Sequence, residues 1–158
     1  INIANRFNNV TSSSNVFPTT DYNASTAPDG DQNTAIYITK RVALENPATS
    51  IRMFFAGHRR NSGTIKVLFK TLGNDDASDF DDIGYTFFNT DGSTDVTTPV
   101  SLDVDDFRDY VYTAGVTDDG IGVPLPEFNT FAIKIVMQGT NAAEPPRIRD
   151  LRIIALAT

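Results

Sequence analysis

Residues 125–156 read LPEFNTFAIKIVMQGTNAAEPPRIRDLRIIAL, and this stretch decides the fold because it holds two strongly patterned strands joined by a polar loop. In the first strand apolar side chains recur at every second position, at Phe131, Ile133, Ile135 and Met137. A period of two places these side chains on one face of a strand. Lys134 and Gln138 fall on the opposite face, so the pattern predicts a half-buried strand.

The second strand begins with Ile148 between Arg147 and Arg149 and then becomes mostly apolar. Its later apolar side chains fall on both faces, at Leu151, Ile153, Ile154 and Leu156. Strands that are apolar on both faces are typical of the centre of a sheet. We therefore expect this strand to be central and the chain to end within its own core.

Further short strands precede this stretch, and turn signals separate them. They span residues 35–44, 51–56, 64–72, 85–88 and 106–113, and a Gly- and Pro-rich loop follows at residues 116–126. The Asn61-Ser62-Gly63 turn predicts a hairpin over residues 51–72. Seven or eight such strands predict an all-β domain over residues 35–158, a two-sheet antiparallel β-sandwich with jelly-roll topology. Phe69, Ile135 and Ile153 are expected to share its interior.

The first 34 residues differ from the rest of the chain. They are dominated by Asn, Ser, Thr, Asp and Pro, and contain too few apolar residues to form a core. Isolated apolar side chains recur along them at Ile1, Ile3, Phe7, Val10, Phe17 and Tyr22. We interpret residues 1–34 as an extended arm that lies across this domain or a neighbouring subunit.

Composition and charge narrow the class of protein. The 158-residue chain has a formal net charge of −7, and thirteen of its seventeen Asp lie between Asp75 and Asp119. Such a surface disfavours nucleic acid and anionic membranes as partners, and it serves either solubility or the binding of a cation or basic partner. No Cys and no run of 18 apolar residues occur, so disulfides, thiolate metal sites and a transmembrane helix are not expected. The chain begins with Ile and not Met, from which we expect a fragment or a processed product.

The Asp-rich segment of residues 75–82 is the candidate metal site. Its carboxylates at Asp75, Asp76, Asp79 and Asp81 are hard oxygen ligands of the kind that calcium prefers. The spacing matches no EF-hand, and the alternative is turn formation, because Asp side chains initiate turns. Without a cation or a basic neighbour, the carboxylates would repel one another into water, and the loop would be mobile and dispensable.

Catalytic residues are not expected. His58, the single histidine, lies at the end of a predicted strand and has no Cys or Gly-x-Ser-x-Gly motif to pair with, so we interpret it as a solvent-edge turn residue. The acidic residues are nearly all Asp in loops, with three Glu in the chain, and no carboxylate pair stands out for glycosidase chemistry.

Two groups of side chains could bind a partner. Tyr110, Tyr112 and Phe88 could stack on a sugar, and the alternative is that they pack in the core and at its rim. The cationic residues Arg147, Arg149 and Arg152, with Lys134, could form a basic stripe on adjacent strands, and the alternative is an ordinary solvated sheet face.

Five segments in this order and spacing resemble a C-terminal domain of virion structural proteins of contractile-tailed bacteriophages, notably marine cyanophages. They are Ile65–Phe69, Phe80–Phe88, Phe107–Thr113, Phe128–Thr140 and Pro145–Leu156. The resemblance covers residues 35–158 and implies a place in a tail, baseplate or fibre, without catalytic residues. The last strand also resembles the closing strand of galactose-binding-like jelly rolls, several of which bind sugars through loops at one end of the sandwich.

Two functional hypotheses follow. The first is a non-enzymatic structural or interaction module of a virion, assembled in the host cytoplasm and exposed on the extracellular particle. Its partners would be other virion proteins or copies of itself. The second is a carbohydrate-binding module that contacts a host-surface glycan, with or without calcium. Neither hypothesis involves nucleic acid or membrane insertion.

Overall fold

A computed structural model describes residues 35–61, 63–88, 101–117, 120–139 and 144–157. The predicted arm, residues 1–34, lies outside these ranges. The described part contains eight strands and one short 3-10 turn at Phe80–Asp82. The strands are β1 (Ala35–Ile38), β2 (Val42–Ala48), β3 (Ser50–His58), β4 (Gly63–Leu72), β5 (Thr86–Phe87), β6 (Arg108–Ala114), β7 (Phe128–Gly139) and β8 (Arg147–Leu156).

The strands form two antiparallel sheets that pack face to face, as the sequence predicted for a β-sandwich. The five-stranded sheet has the order β1-β7-β4-β5, and β2 also pairs with β7. The three-stranded sheet has the order β6-β3-β8. A jelly-roll connection of these strands stays a prediction. None of the described residues forms a helix long and apolar enough to cross a membrane.

The main core lies between the inward faces of the two sheets. Ile65, Val67 and Phe69 of β4 pack there with Ile133 and its neighbours on β7, and with Ile51, Met53 and Phe55 of β3. Phe69 and Ile135 are buried, and Ile153 of β8 is half-buried against the same core, so the predicted interior positions are confirmed. Alternation along each strand selects these side chains because one face of every strand points inward.

The strand β7 is central, and both of its faces are buried. It pairs with β4 along one edge and with β1 and β2 along the other. The prediction of a half-buried strand is therefore wrong: Lys134, expected to face solvent, is 0% exposed. The reason is a covering segment, residues 73–88, which we call the acidic loop. Phe80 and Tyr85 of this loop pack on Leu68 and Val136 of the outer sheet face and form a second core.

The strand β8 is an edge strand, because in the described part of the chain it pairs with β3 alone. The expectation of a central strand is therefore wrong. A β-bulge at Asp150, whose φ is 57°, shifts the register between Phe54 and Ala56. One inserted residue lets Ile148 and Leu151 face the same core although they are three positions apart. The apparent two-sided apolar pattern is a one-sided pattern interrupted by the bulge, followed by Ile154 on the outer face.

Two other local predictions differ from the structure. Residues 51–72 do not form a hairpin, because β3 and β4 belong to different sheets and face each other across the core. Alternation marks an inward face, but it does not distinguish a strand that pairs with another from one that packs over it. The predicted strand over residues 35–44 is divided into β1 and β2 around Thr39, whose hydroxyl accepts a hydrogen bond from the Ile133 amide at 3.0 Å.

Candidate functional site

A pocket opens at the end of the five-stranded sheet where β2 and β4 end and β7 begins. It has a volume of about 580 Å³. Its lining comes from three separate chain segments and consists of Pro47, Gly73, Asn74, Asp75, Asp76, Ala77, Pro126, Glu127, Phe128 and Asn129. The segments meet because β2 and β4 are both antiparallel to β7, so that the ends of two strands lie beside the start of the third.

The two sides of the pocket approach each other closely at the backbone, and a hydrogen bond joins them. A Cβ atom placed on Gly73 would lie 2.9 Å from the carbonyl oxygen of Glu127, so a larger residue there would push the two segments apart. The Asn129 amide donates a hydrogen bond to the Asn74 side-chain oxygen across the pocket wall. The Asp76 backbone amide donates to the Gly73 carbonyl at 3.4 Å and turns the chain around the rim.

The pocket is acidic and rich in hydrogen-bonding groups. Its side chains include three carboxylates, at Asp75, Asp76 and Glu127, and two amides. Hydrogen bonds from the side chain and backbone of Ser78 lower the pKa of Asp76, so this carboxyl stays ionised further into the acid range than an ordinary Asp. Carboxylates accept hydrogen bonds from hydroxyl groups and amides both donate and accept. The arrangement therefore suits a ligand with several hydroxyl groups.

The structure separates the four Asp predicted as metal ligands. Asp75 and Asp76 line the pocket, whereas Asp79 accepts a hydrogen bond from the Asp81 amide at 3.0 Å and caps the 3-10 turn. The Asp76 carboxylate accepts from the Ser78 amide at 2.9 Å in the same manner. Among the described residues, no group of three or more His, Asp or Glu could hold a metal ion. Asp76 and Asp79 instead make turn-forming hydrogen bonds, which was the alternative interpretation of these residues.

The acidic loop is anchored to the sheet from below. The Lys70 ammonium donates a hydrogen bond to the Phe80 carbonyl at 2.7 Å and lies 4.3 Å from the centre of the Phe80 ring. Phe80 itself is 3% exposed. This packing does not fit the expectation of a dispensable loop. That expectation assumed that the carboxylates have no basic neighbour, whereas the charges of Asp79 and Asp81 act on Lys70.

The aromatic residues proposed for sugar stacking lie in the main core. Tyr110 is 1% exposed and stacks on Phe55 with ring centres 4.8 Å apart, and Tyr112 is also buried. Phe88 is half-buried and packs against Phe69 at 4.8 Å. These rings offer no open face at the pocket, and they occupy the core and rim positions that the sequence also allowed.

A second candidate surface is the outer face of the three-stranded sheet. We call it the arginine face and define it by Arg52, Phe54, Val111, Arg149, Arg152 and Ile154. The registers of β6 and β8 on β3 place Phe54 opposite both Val111 and Arg152. The guanidinium groups of Arg52 and Arg152 lie 5.3 Å and 5.8 Å from the centre of the Phe54 ring. The apolar side chains of Val111 and Ile154 remain 49% and 47% exposed.

The predicted basic stripe is therefore only partly assembled. Arg147, Arg149 and Arg152 are exposed on β8, but Lys134 lies in the other sheet and is fully buried. His58 also differs from its prediction, because it ends β3 and is 4% exposed, and it is not a solvent-edge turn residue. Its ring packs beside Phe107 at 6.0 Å, and the Arg149 guanidinium lies 4.0 Å from the same Phe107 ring.

Several pocket and surface residues had no signal in the sequence. Glu127 and Asn129 lie 50 or more positions from Asp75 and Asn74 and reach them only through the pairing of β4 with β7. Phe54 and Val111 become neighbours through the pairing of β3 with β6. The Pro-Glu-Phe-Asn sequence at the start of β7 marks a loop end, but nothing in it indicates a pocket.

No protein-family model matches the chain, and a search of curated proteins finds no relative of it.

Proposed function

We propose that the chain is a non-enzymatic structural or interaction module of a bacteriophage tail, baseplate or fibre. The resemblance of five segments to virion proteins supports a place in a phage particle, and the β-sandwich fold is compatible with such a place. The observation that carries the interaction role is the arginine face, where the Phe54 ring has guanidinium groups 5.3 Å and 5.8 Å from its centre and two half-exposed aliphatic side chains beside it. Arg and aromatic residues are enriched in the core of protein interfaces. The module would be assembled in the host cytoplasm and exposed on the extracellular particle.

Immunogold electron microscopy of purified particles, with antibodies raised against residues 35–158, tests this proposal. We expect label on the tail, baseplate or fibre region of particles that carry the intact chain. Antibody depleted on the purified chain is the control, and it should leave the particles unlabelled. Chain that is abundant in the infected-cell lysate but absent from washed particles would contradict the proposal.

The pocket supports a second candidate, the binding of a host-surface glycan. Its three carboxylates and two amides could hold vicinal hydroxyl groups, and Pro47 and Pro126 add apolar walls. Because Phe128 of the lining is only 1% exposed, hydrogen bonds and not ring stacking would hold the sugar. Saturation-transfer NMR with galactose, glucose and N-acetylglucosamine tests this candidate.

Matched substitutions make the sugar test specific. We expect Glu127→Gln and Asn129→Ala to reduce the transferred signal, because both side chains line the pocket. Asp82→Asn removes a charge from the acidic loop outside the pocket and should leave the signal unchanged. Equal signals from all three variants, or no signal from the parent chain with any of the sugars, would leave the pocket without a role in sugar binding.

A further inference from the structure

We propose that the arginine face docks on the acidic loop of a second copy of this chain, so that copies associate head to tail. The inference rests on the proposed function, and it names the partner as the chain itself. Its starting point is the distribution of charge over the two outer faces of the sandwich. One outer face is cationic and partly apolar, and the opposite one is covered by a loop that carries five carboxylates.

The cationic side consists of residues held in place by the sheet. Arg149 and Arg152 project from β8 on the same side as Phe54 because the bulge at Asp150 keeps both in register with the outer face of β3. Arg152 is exposed, and the Arg149 side chain is 58% exposed. Carboxylates on this side include Asp109, which pairs with Ala56 through β6 and is exposed, and Asp150, 3.6 Å from Arg149. Asp106 precedes Phe107, the ring that Arg149 covers, and pairs with Arg108 at 2.8 Å.

The acidic side is equally well defined. Asp75, Asp76, Asp79, Asp81 and Asp82 are all exposed on the acidic loop. Lys70, which neutralises part of this charge, is buried beneath the loop. Two cationic side chains also lie at this loop: exposed Arg41 is 4.9 Å from the Phe80 ring, and half-buried Lys66 is 5.8 Å from the Phe87 ring. The five carboxylates outnumber them, and half-buried Ile83 and Phe87 add apolar surface. These two apolar side chains are suited to cover Val111, Phe54 and Ile154 of the next copy.

Geometry and charge together favour a second copy of the chain as the partner and a head-to-tail arrangement of the copies. The acidic loop covers the outer face of the five-stranded sheet, and the arginine face is the outer face of the other sheet, so one copy cannot bring its own two surfaces together. Pairing two arginine faces about a two-fold axis would bring like charges into contact, which is unfavourable. A heterologous contact between opposite faces generates rings or filaments, and both are compatible with a repeating part of a particle.

The test is sedimentation velocity of the full chain over a concentration series. We expect reversible association that weakens by about tenfold or more between about 0.1 M and 1 M NaCl, because the screening length falls from about 10 Å to about 3 Å. The face variant, Arg149→Asp with Arg152→Asp, is expected to be monomeric. The control Val123→Asp places one carboxylate at a side chain that is 80% exposed and belongs to neither surface, and it is expected to associate as the parent does.

A charge swap gives the sharpest outcome. The loop variant, Asp75→Lys with Asp81→Lys and Asp82→Lys, changes the formal charge of residues 73–88 from −5 to +1. It is expected to be monomeric because its loop and its arginine face are then both cationic. Mixed with the face variant, it presents two complementary contacts, so the equimolar mixture is expected to associate although neither variant does alone. Thermal melts of both variants exclude unfolding as the cause.

Three results would overturn the inference: a parent chain that is monomeric at every concentration and salt, association that persists in the face variant, or a mixture that stays monomeric. If the parent chain is monomeric but its antibody labels particles, head-to-tail association is wrong and the virion role stands. If the parent chain associates but is absent from particles, the virion role is wrong and the association stands.

Discussion

At the scale of single residues, the packing of Tyr110 depends on a glycine. Gly57 lies on the inward face of β3 beside Tyr110, and a Cβ atom there would lie 2.6 Å from the Tyr110 ring and 3.1 Å from Phe55. The two rings stack at 4.8 Å in the main core, so neither has room to move. The glycine is therefore required for space and not for backbone conformation.

We expect Gly57→Ala to lower the free energy of unfolding by about 1–3 kcal/mol through overpacking. Urea denaturation measures the loss. Gly84→Ala is the matched control, because no atom lies within 4 Å of a Cβ at that position. Gly84→Ala should change the free energy of unfolding by less than about 1 kcal/mol, because its main effect is to restrict the unfolded chain. Equal losses in the two variants would mean that Tyr110 is not packed as described.

Lys70 links stability to pH. Desolvation by burial lowers the pKa of Lys70 from its ordinary value of 10.5, and the charges of Asp81 and Asp79 oppose this shift. Between the lowered pKa and 10.5, the unfolded chain binds the Lys70 proton and the folded chain does not. Because the unfolded state then holds more protons, the Lys70 contribution to stability increases with pH across that window and is constant below it.

The expected result is that the difference in free energy of unfolding between the parent and Lys70→Met shifts in favour of the parent as pH rises toward 10.5. Urea titrations of both proteins at a series of alkaline pH values measure this difference. Other titrating groups are common to the two proteins and cancel. A difference that stays flat, or moves in favour of the variant, would show that burial does not lower the pKa of this ammonium.

At the scale of elements, the β8 bulge controls which face of the strand is apolar. Asp150 occupies the left-handed region at a φ of 57°, where Gly, Asn and Asp are tolerated best. Its side chain is 74% exposed, so its backbone conformation matters more than its contacts. Without the inserted residue, one half of β8 would present its arginines to the core.

Deleting Asp150 is therefore expected to cost more than about 4 kcal/mol, because a one-residue slip reverses the faces of the strand on one side of the deletion. Asp150→Gly keeps the bulge and should change stability by less than about 1 kcal/mol, whereas Asp150→Val should cost about 1–2 kcal/mol through backbone strain. Thermal melts rank the three variants. A deletion as mild as the glycine substitution would mean that β8 pairs with β3 in a different register.

The acidic loop is the second element whose role depends on burial. Phe80 anchors it in the core formed with Leu68, Leu72 and Val136 on the outer sheet face. We expect Phe80→Ala to cost about 3–5 kcal/mol, as truncation of a buried aromatic side chain leaves a cavity. Asp75→Ala, an exposed change on the same loop that does not involve the charges around Lys70, should change stability by less than about 0.5 kcal/mol. A mild effect of Phe80→Ala in chemical denaturation would restore the picture of a dispensable loop.

At the scale of the whole molecule, the described strands account for one another's pairing from Ala35 onward. We expect a chain lacking residues 1–34 to remain a cooperatively folded sandwich, since β1 begins at Ala35 and β7 keeps all its described partners. Circular dichroism and a thermal melt measure this outcome. Loss of cooperative melting would mean that residues 1–34 supply an integral strand and not an arm.

The sequence by itself determined the class of fold and most of the inward faces. Period-two alternation is a local property, and it correctly marked Ile65, Val67, Phe69 and the odd-numbered side chains of β7 as interior. It also placed most strands to within a few residues. The acidic charge and the concentration of Asp after Asp75 were visible in the same way, because composition needs no tertiary contact.

Only the tertiary structure decided which strand is central, which sheets contain β3 and β4, and where the two candidate surfaces lie. The acidic loop folds back over β7 and buries Lys134, while β8 pairs with β3 alone among the described strands and lies at an edge. The bulge at Asp150 produces the two-sided apolar pattern that indicated a central strand. The pocket joins Asp75 to Glu127, and the arginine face joins Phe54 to Val111 and Arg152. Each of these depends on contacts between residues far apart in the chain, and local alternation carries no information about such contacts.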